Sequence, residues 1–233
     1  MPSSRLRFVF LLIAAILTAG QFLLFQTLIS TGALPNPIAV HWGFSGEPDG
    51  FGDPNAYVLG ITFTYLVLLS LLAYFGFGLR KRLLKPLLFG TVAFLFGFLF
   101  LLFSITTLIQ VGRSATDAAL EPWLLISLLV LPLGIVALAL GTPEVSLSDK
   151  LEISVRGFAL LKLDFSELVS VEQITLRARD FGGLGIRYGN KTLAFIPSPG
   201  SGVLISTNFG ESIAVRTKNP EILIAALKAK IGS

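Results

Sequence analysis

Four long apolar segments restrict what this chain can fold into more than any other feature. No Asp, Glu, Lys, Arg or His lies inside any of them. At about 1.5 Å of rise per helical residue, each is long enough to cross the hydrocarbon core of a bilayer. The sequence therefore predicts an α-helical membrane domain, residues 1–141, with four transmembrane helices. Their predicted spans are 8–29, 57–79, 87–109 and 123–140.

Composition agrees with a chain that lies largely in lipid. Mean hydropathy is +0.79 and charged residues make up 14%, against about 25% in soluble domains. The net charge of +4 is too small and too scattered for nucleic-acid binding. The chain has no cysteine, which excludes disulfides, thiolate nucleophiles and cysteine-bound metals. Spans without Asp, Glu, Lys, Arg or His argue against a proton relay or an ion-coupled transporter.

Loop charges predict the orientation. Arg5 and Arg7 precede the first span, and a basic cluster follows the second. The loop at 30–56 has no Lys or Arg. The positive-inside rule predicts a multi-pass protein of the plasma membrane with both termini cytoplasmic. The cluster is mainly a topology determinant, and it could also contact anionic lipid headgroups. The membrane-facing basic residues are Arg80, Lys81, Arg82 and Lys85.

The first apolar segment has two interpretations. A cleaved signal peptide would begin in the same way, with a basic start and a small-residue site near Ala19. However, the apolar run continues beyond Ala19 to Phe25 and further. An uncleaved first helix is therefore the expectation.

A polar insert at 34–52 separates the first two spans and contains the only histidine of the chain. Pro35 and Pro37 stiffen its beginning. Residues 47–50 have the composition of a β-turn. A reversal of the chain near Ser45 would bring His41 close to Asp49.

The insert also carries a family resemblance. Its pattern P-x-P-x-x-x-H-W-x-x-x-G-x-x-D-x-F resembles the first extracytoplasmic loop of bacterial membrane proteins with the SdpI-type N-terminal domain of unknown function. That resemblance implies a multi-span protein, linked in some relatives to toxin immunity and signalling, and it implies no known catalytic activity. It makes the insert a candidate recognition loop with a possible peptide or protein partner. The residues that carry the pattern are Pro35, Pro37, His41, Trp42, Gly46, Asp49 and Phe51.

The chemistry of His41 has several possible uses. It could form a structural hydrogen bond, which is the favoured interpretation, or act as a pH switch, a metal ligand or a general base. A metal site needs several converging ligands, and only nearby carboxylates are on offer. A hydrolase would depend on Ser45, His41 and Asp49, with no nucleophile-elbow motif around the serine. We therefore expect no metal, no cofactor and no enzymatic activity.

Beyond Thr142-Pro143 the composition becomes that of a soluble domain, predicted as residues 142–233. Asn219, Pro220 and Glu221 form an N-cap, a first-turn proline and an early acid, so a helix is expected to about Lys230. Short strands closed by one helix predict a small antiparallel barrel. The predicted strands are 144–148, 151–155, 158–163, 169–176, 185–188, 193–196, 202–206 and 212–217.

This region resembles a bacterial pleckstrin-homology-like (PH-like) domain. The residues that carry the resemblance are 165–171, 185–187 and 217–221. The family shares a fold rather than an activity. Some relatives in fold bind lipid through a basic face, which here would be Arg177, Arg179 and Arg187. The favoured alternative is a solvated face or a membrane-facing patch.

Two functional hypotheses follow for the whole chain, besides the enzyme that its motifs do not favour. One is a sensor or immunity-like signalling protein that meets its ligand at the outer loop. The other is a membrane scaffold that binds a protein or lipid partner through the cytoplasmic domain. The sequence leaves the oligomeric state open, a dimer included.

The orientation yields a first testable prediction. Reporter fusions should place residue 50 outside the cytoplasm and residue 233 inside, because the loop charges favour that arrangement. Alkaline phosphatase and fluorescent-protein fusions at these two positions measure it. An externally active reporter at residue 233 contradicts the four-span orientation.

Overall fold

The computed structural model describes residues 4–231. Within the helix Pro122–Ala139 it describes the side chains of Ile126, Val130 and residues 133–139 only. The chain divides into two compact units. One comprises the chain up to Leu79 together with Leu88–Leu131, and the other comprises Arg80–Leu87 together with the chain from Pro132 onward.

Three helices carry the first unit's apolar sequence: α1 (Ser4–Ser30), α2 (Pro54–Ala73) and α3 (Leu84–Leu108). α2 continues as a π-helical turn, Tyr74–Gly78. With that turn included in α2, all three are long and apolar enough to cross a membrane. Each helix begins three or four residues before its predicted span, because its first turn is polar or lies outside the apolar run. The side chain of Asp53 caps α2 by accepting the Ala56 N–H at 2.8 Å.

Aromatic packing holds these helices together. Tyr65 of α2 is buried, and its ring lies 5.4 Å from that of Phe96 and 6.1 Å from those of Phe100 and Phe103. Gln21 of α1 donates a hydrogen bond to Ser104 of α3 at 2.8 Å. A polar group inside a bundle is stabilised when a neighbouring helix supplies its partner.

A fourth helix, α4 (Pro122–Ala139), coincides with the last predicted span. Among the described residues, α1, α2 and α3 have the length and hydropathy of membrane-spanning helices. The side chain of Trp123, at the start of that span, lies outside the described side chains. The fourth crossing therefore stays a prediction.

The chain after α4 is mainly β, as predicted, and every expected strand is present within two residues of its predicted ends. The strands form one sheet of order β3-β4-β5 and a second of order β6-β9-β10-β8-β7. A single helix, α5 (Pro220–Ile231), follows them. The strands are β3 (Pro143–Leu147), β4 (Leu151–Val155), β5 (Phe158–Leu163), β6 (Leu168–Leu176), β7 (Gly185–Gly189), β8 (Thr192–Ile196), β9 (Gly200–Thr207) and β10 (Ser212–Arg216).

One pairing differs from the all-antiparallel expectation. β10 runs parallel to β8, from the pair Ser212 and Thr192 to the pair Val215 and Phe195. β9 pairs with β6 and not with β8, the strand that precedes it in the chain. The chain then turns back, and β10 lies between β9 and β8. Turn residues in the sequence mark where strands end, but they do not specify which strands become neighbours.

The core of this unit lies between the sheets and α5. Leu151, Leu161, Ile205, Val215 and Leu227 are at most 1% exposed and belong to one cluster. Leu83, from the turn between α2 and α3, is also fully buried in that cluster. Part of the inter-span turn therefore belongs to the core of the β-rich unit.

Helix α5 provides a matched pair of substitutions. Leu227 is fully buried and Ile222 is 69% exposed. We expect Leu227→Ala to cost about 2–5 kcal/mol of unfolding free energy, because it leaves a cavity in the core. Ile222→Ala should change it by no more than about 0.5 kcal/mol. Denaturant dependence of hydrogen exchange at the β10 amides, in the full chain, measures both, and equal effects of the two substitutions contradict the packing described.

Candidate functional site

The predicted recognition loop forms a β-hairpin, called here the His41 hairpin (residues 38–52). Its strands are β1 (Ile38–Trp42) and β2 (Pro48–Gly52), paired antiparallel with Ile38 opposite Gly52 and His41 opposite Gly50. The reversal lies at residues 43–46, where Gly46 N–H donates to the Gly43 carbonyl at 3.0 Å. The expected reversal near Ser45 is confirmed, but the turn predicted at 47–50 is wrong. Residues 48–50 belong to β2 instead, because the chain has already reversed at residues 43–46.

His41 and Asp49 face each other across the hairpin. His41 Nδ1 and Asp49 Oδ1 form a hydrogen-bonded pair. Their side chains are 71% and 53% exposed. An exposed pair of this kind contributes at most about 1 kcal/mol. It can set the shape of the hairpin's surface, but it is too weak to hold the hairpin together.

Gly50 permits the close approach of the two strands beside this pair. A Cβ atom at Gly50 would lie 2.8 Å from His41 Cβ, closer than side-chain atoms pack. A Cβ atom at Gly43 would lie 3.2 Å from Asp49 Oδ2. In a sequence, glycine is read first as a residue that favours turns. The close approach at these two glycines depends on the strand register, which the sequence pattern does not reveal.

A buried glutamine fixes the other end of β1. Gln110 is fully buried, and its side-chain Oε1 accepts the Ala39 N–H at 2.7 Å. Its Nε2 donates to the Ala39 carbonyl at 3.1 Å and to the Thr106 carbonyl at 2.8 Å. The amide of Gln110 thus pairs with Ala39 as a neighbouring strand would. Ala39 and Ile38 are themselves fully buried.

Further hydrogen bonds join the hairpin to the loop after α3. Trp42 Nε1 donates to the Ala118 carbonyl at 2.8 Å. Leu120 N–H donates to the carbonyl of Gly46, a buried glycine, at 2.7 Å. Gln110 and Ala118 were absent from the predicted site. Nothing in the local sequence marks them, since they lie about 70 residues from the strand that they hold.

The anchored hairpin also exposes apolar side chains. Phe44, in the reversal, is fully exposed. Phe51 and Val40 are about two-fifths exposed. Exposed apolar groups on a fixed support are a common feature of surfaces that bind partners. Pro35 is half-buried and Pro37 is exposed, and both precede β1 in the chain.

A metal site at the hairpin would need several converging ligands. Among the described residues, no three His, Asp or Glu side chains come together in a way that could hold an ion. The carboxylate of Asp53, which follows the hairpin in the chain, caps α2.

The basic turn at 80–85 lies in the other unit. Arg80, Lys81 and Arg82 are exposed, and Lys85 is half-buried. The guanidinium of Arg82 pairs with the carboxylate of Glu167. At least one of the four cations is therefore paired within the protein.

A groove lies beside α5 in the same unit. Its volume is about 710 Å³. The apolar part of its wall includes Val145 and Leu147 of β3 and Ile222 of α5, and its rim carries Arg216 and Lys218. The three arginines proposed as a basic face, Arg177, Arg179 and Arg187, do not line it.

The anchoring of β1 can be tested at Gln110. We expect Gln110→Leu to destabilise the hairpin by about 1–3 kcal/mol or more, because it leaves the buried Ala39 N–H and carbonyl without partners. Hydrogen exchange of the amides at 38–42 in the full chain should accelerate accordingly. The exposed Gln173 on β6 serves as control through Gln173→Leu. Unchanged exchange at 38–42 in the Gln110 variant contradicts the anchoring role.

Comparison with known proteins adds one match. Residues 8–64 match the model of a family described as "Domain of unknown function (DUF1648)". The matched stretch contains most of α1, the whole His41 hairpin and the first half of α2. No curated protein and no solved structure matches the chain. With three apolar helices of spanning length, the chain is an integral membrane protein whose amino-terminal quarter is similar to this family.

Proposed function

We propose that this protein is a bacterial, SdpI-like membrane sensor or immunity-type protein. In this proposal the His41 hairpin binds a peptide or protein ligand outside the cytoplasm. The β-rich part acts inside as a PH-like interaction domain. The proposal assigns the chain no catalytic chemistry and no cofactor.

The observation that carries the proposal is the contrast between the anchored and the exposed residues of the hairpin. β1 is held by hydrogen bonds to Gln110 and Ala118. Phe44, Phe51 and the His41–Asp49 pair are exposed. A preformed surface binds at a lower entropic cost than one that must first become ordered. Aromatic side chains contribute most of the binding free energy at many protein interfaces.

The number of crossings supports the proposed arrangement, with the hairpin and the β-rich part on opposite sides of the membrane. Because the turn at 80–87 forms one compact unit with the β-rich part, the proposal puts both on the same side of the bilayer. α3 would then lead from that turn to the opposite side, and a crossing by α4 would lead back. At 18 residues, α4 is about 27 Å long, close to the roughly 30 Å of the hydrocarbon core.

A second candidate function is a membrane scaffold that binds a protein or lipid partner through the β-rich part. The groove beside α5 favours it. Ile222 is an exposed apolar residue at this groove, and Arg216 and Lys218 supply positive charge at its rim. In this alternative the hairpin is only a structural cover for the helices.

Site-specific photo-crosslinking distinguishes the two functions. In cells that produce the full chain, a benzophenone amino acid replaces Phe44 in one variant and Ile222 in another. The sensor proposal predicts a discrete adduct from position 44 that is lost when His41→Ala or Asp49→Ala is added. Each of these changes removes the pair while leaving the buried base of the hairpin intact. The scaffold alternative predicts an adduct from position 222 alone.

The controls concern position and membrane insertion. A benzophenone at the exposed Thr116, in the neighbouring loop, should give no comparable adduct. Amounts of membrane-inserted protein should be equal in all variants. If the adduct at position 44 persists unchanged in both the His41 and the Asp49 variants, the pair has no part in recognition.

A further inference from the structure

Glu211, in the turn between β9 and β10, is a buried carboxylate for which the proposed function has no use. It is only 7% exposed. A buried charge is costly unless protein groups replace the water that it loses. The partners of its two side-chain oxygens therefore show what the position is built for.

Both oxygens are satisfied, one of them by the inter-span turn. Leu83 N–H donates to Glu211 Oε2 at 3.0 Å. The hydroxyl of Tyr188 donates to Oε1. Burial first, and then this hydrogen bond, raise the pKa of Tyr188. The side chain of Leu83 is fully buried in the core of the β-rich unit.

The residues before Leu83 are bound as well. Arg82 pairs with Glu167, and its guanidinium lies 4.9 Å from the ring centre of Phe209. The ammonium of Lys81 lies 5.3 Å from the ring centre of Tyr188. A cation over an aromatic face is attracted by the negative face of the ring. Two successive cations and the following leucine are thus each matched by a complementary group.

We infer that the surface formed by Glu167, Tyr188, Phe209 and Glu211 is a binding site for a short basic–apolar turn, and that its resident occupant is the chain's own turn at 81–83. We call this surface with its occupant the turn clasp. The buried carboxylate recognises a free backbone N–H, the core accepts a leucine, and the two rings and Glu167 accept the preceding cations. The inference does not depend on ligand recognition by the hairpin. It gives the basic cluster a protein partner in addition to its topological role.

Hydrogen exchange of the full chain in phosphatidylcholine nanodiscs tests the turn clasp. In the unmodified protein the amides at 81–85 should be protected, because Leu83 N–H is buried and bonded. Glu211→Ala should accelerate their exchange at least about tenfold, since hydrogen bonds to charged groups are among the stronger ones. Glu172→Ala, at an exposed glutamate of β6, is the matched control and should leave the turn unchanged. The β10 amides report whether the domain remains folded.

A second variant covers the case in which Glu211→Ala unfolds the domain. Tyr188→Phe keeps the ring beneath Lys81 and removes only the hydroxyl, so exchange at 81–85 should rise about threefold or more with β10 still protected. Unprotected turn amides in the original protein overturn the inference. Unchanged exchange at 81–85 in a folded Glu211→Ala variant also overturns it. If that variant unfolds, unchanged exchange at 81–85 in Tyr188→Phe overturns it. If protection appears only after phosphatidylglycerol is added, the turn binds anionic headgroups instead, which also overturns it.

Discussion

The bilayer interior offers no hydrogen-bond partners, and this constraint governs both the helices and the loops that join them. Inside the spans, helices satisfy their own backbone groups. Several polar side chains donate to a carbonyl of their own helix, as Thr18 does to Ala14, and Gln21 donates to Ser104 of a neighbouring helix. Where a helix ends, backbone groups that remain buried need another source of partners. The structure supplies them through specific side chains, and those side chains determine the conformation of the loops.

In two loops, one distant side chain supplies the hydrogen-bond partner that a buried backbone group needs. In the His41 hairpin, the buried amide of Gln110 takes both backbone groups of Ala39. In the turn clasp, the buried carboxylate of Glu211 takes the N–H of Leu83. In both cases one side chain, distant in sequence, substitutes for a missing strand or helix neighbour. The amide of Gln110 has both a donor and an acceptor, so it can bond the N–H and the carbonyl of a strand residue. The carboxylate of Glu211 only accepts hydrogen bonds, so it suits a turn with a single free N–H.

The sequence predicted local structure well because local structure depends on local patterns. Apolar runs without charges fixed the helices, and Gly, Pro and Asn punctuation fixed the strands of the β-rich part. The chain reversal that brings His41 to Asp49 followed from composition alone, although its turn was displaced by several residues. These features need only a residue and its near neighbours in the chain.

What the sequence did not predict depends on contacts between distant residues. The insertion of β10 beside β8 in parallel is one example, because turn residues do not encode strand order. Gln110 is another, since a polar residue at the end of an apolar run has no pattern that names Ala39 as its partner. Leu83 looked like one more apolar residue next to a basic cluster. Only the core that receives it distinguishes it from its neighbours.

A single helix, α2, joins the His41 hairpin to the turn at 80–83. Gly52 ends the hairpin, Asp53 caps α2, and the π-helical turn Tyr74–Gly78 leads to that turn. With its π-helical turn the helix has 25 residues, or about 37 Å at the α-helical rise. Arg7 donates to the Gly76 carbonyl at 2.9 Å, which stabilises the one stretch where α2 departs from α-helical geometry. Such π-helical turns often occur at functional positions, and this one lies where a shift of α2 would first reach the residues held by Glu211.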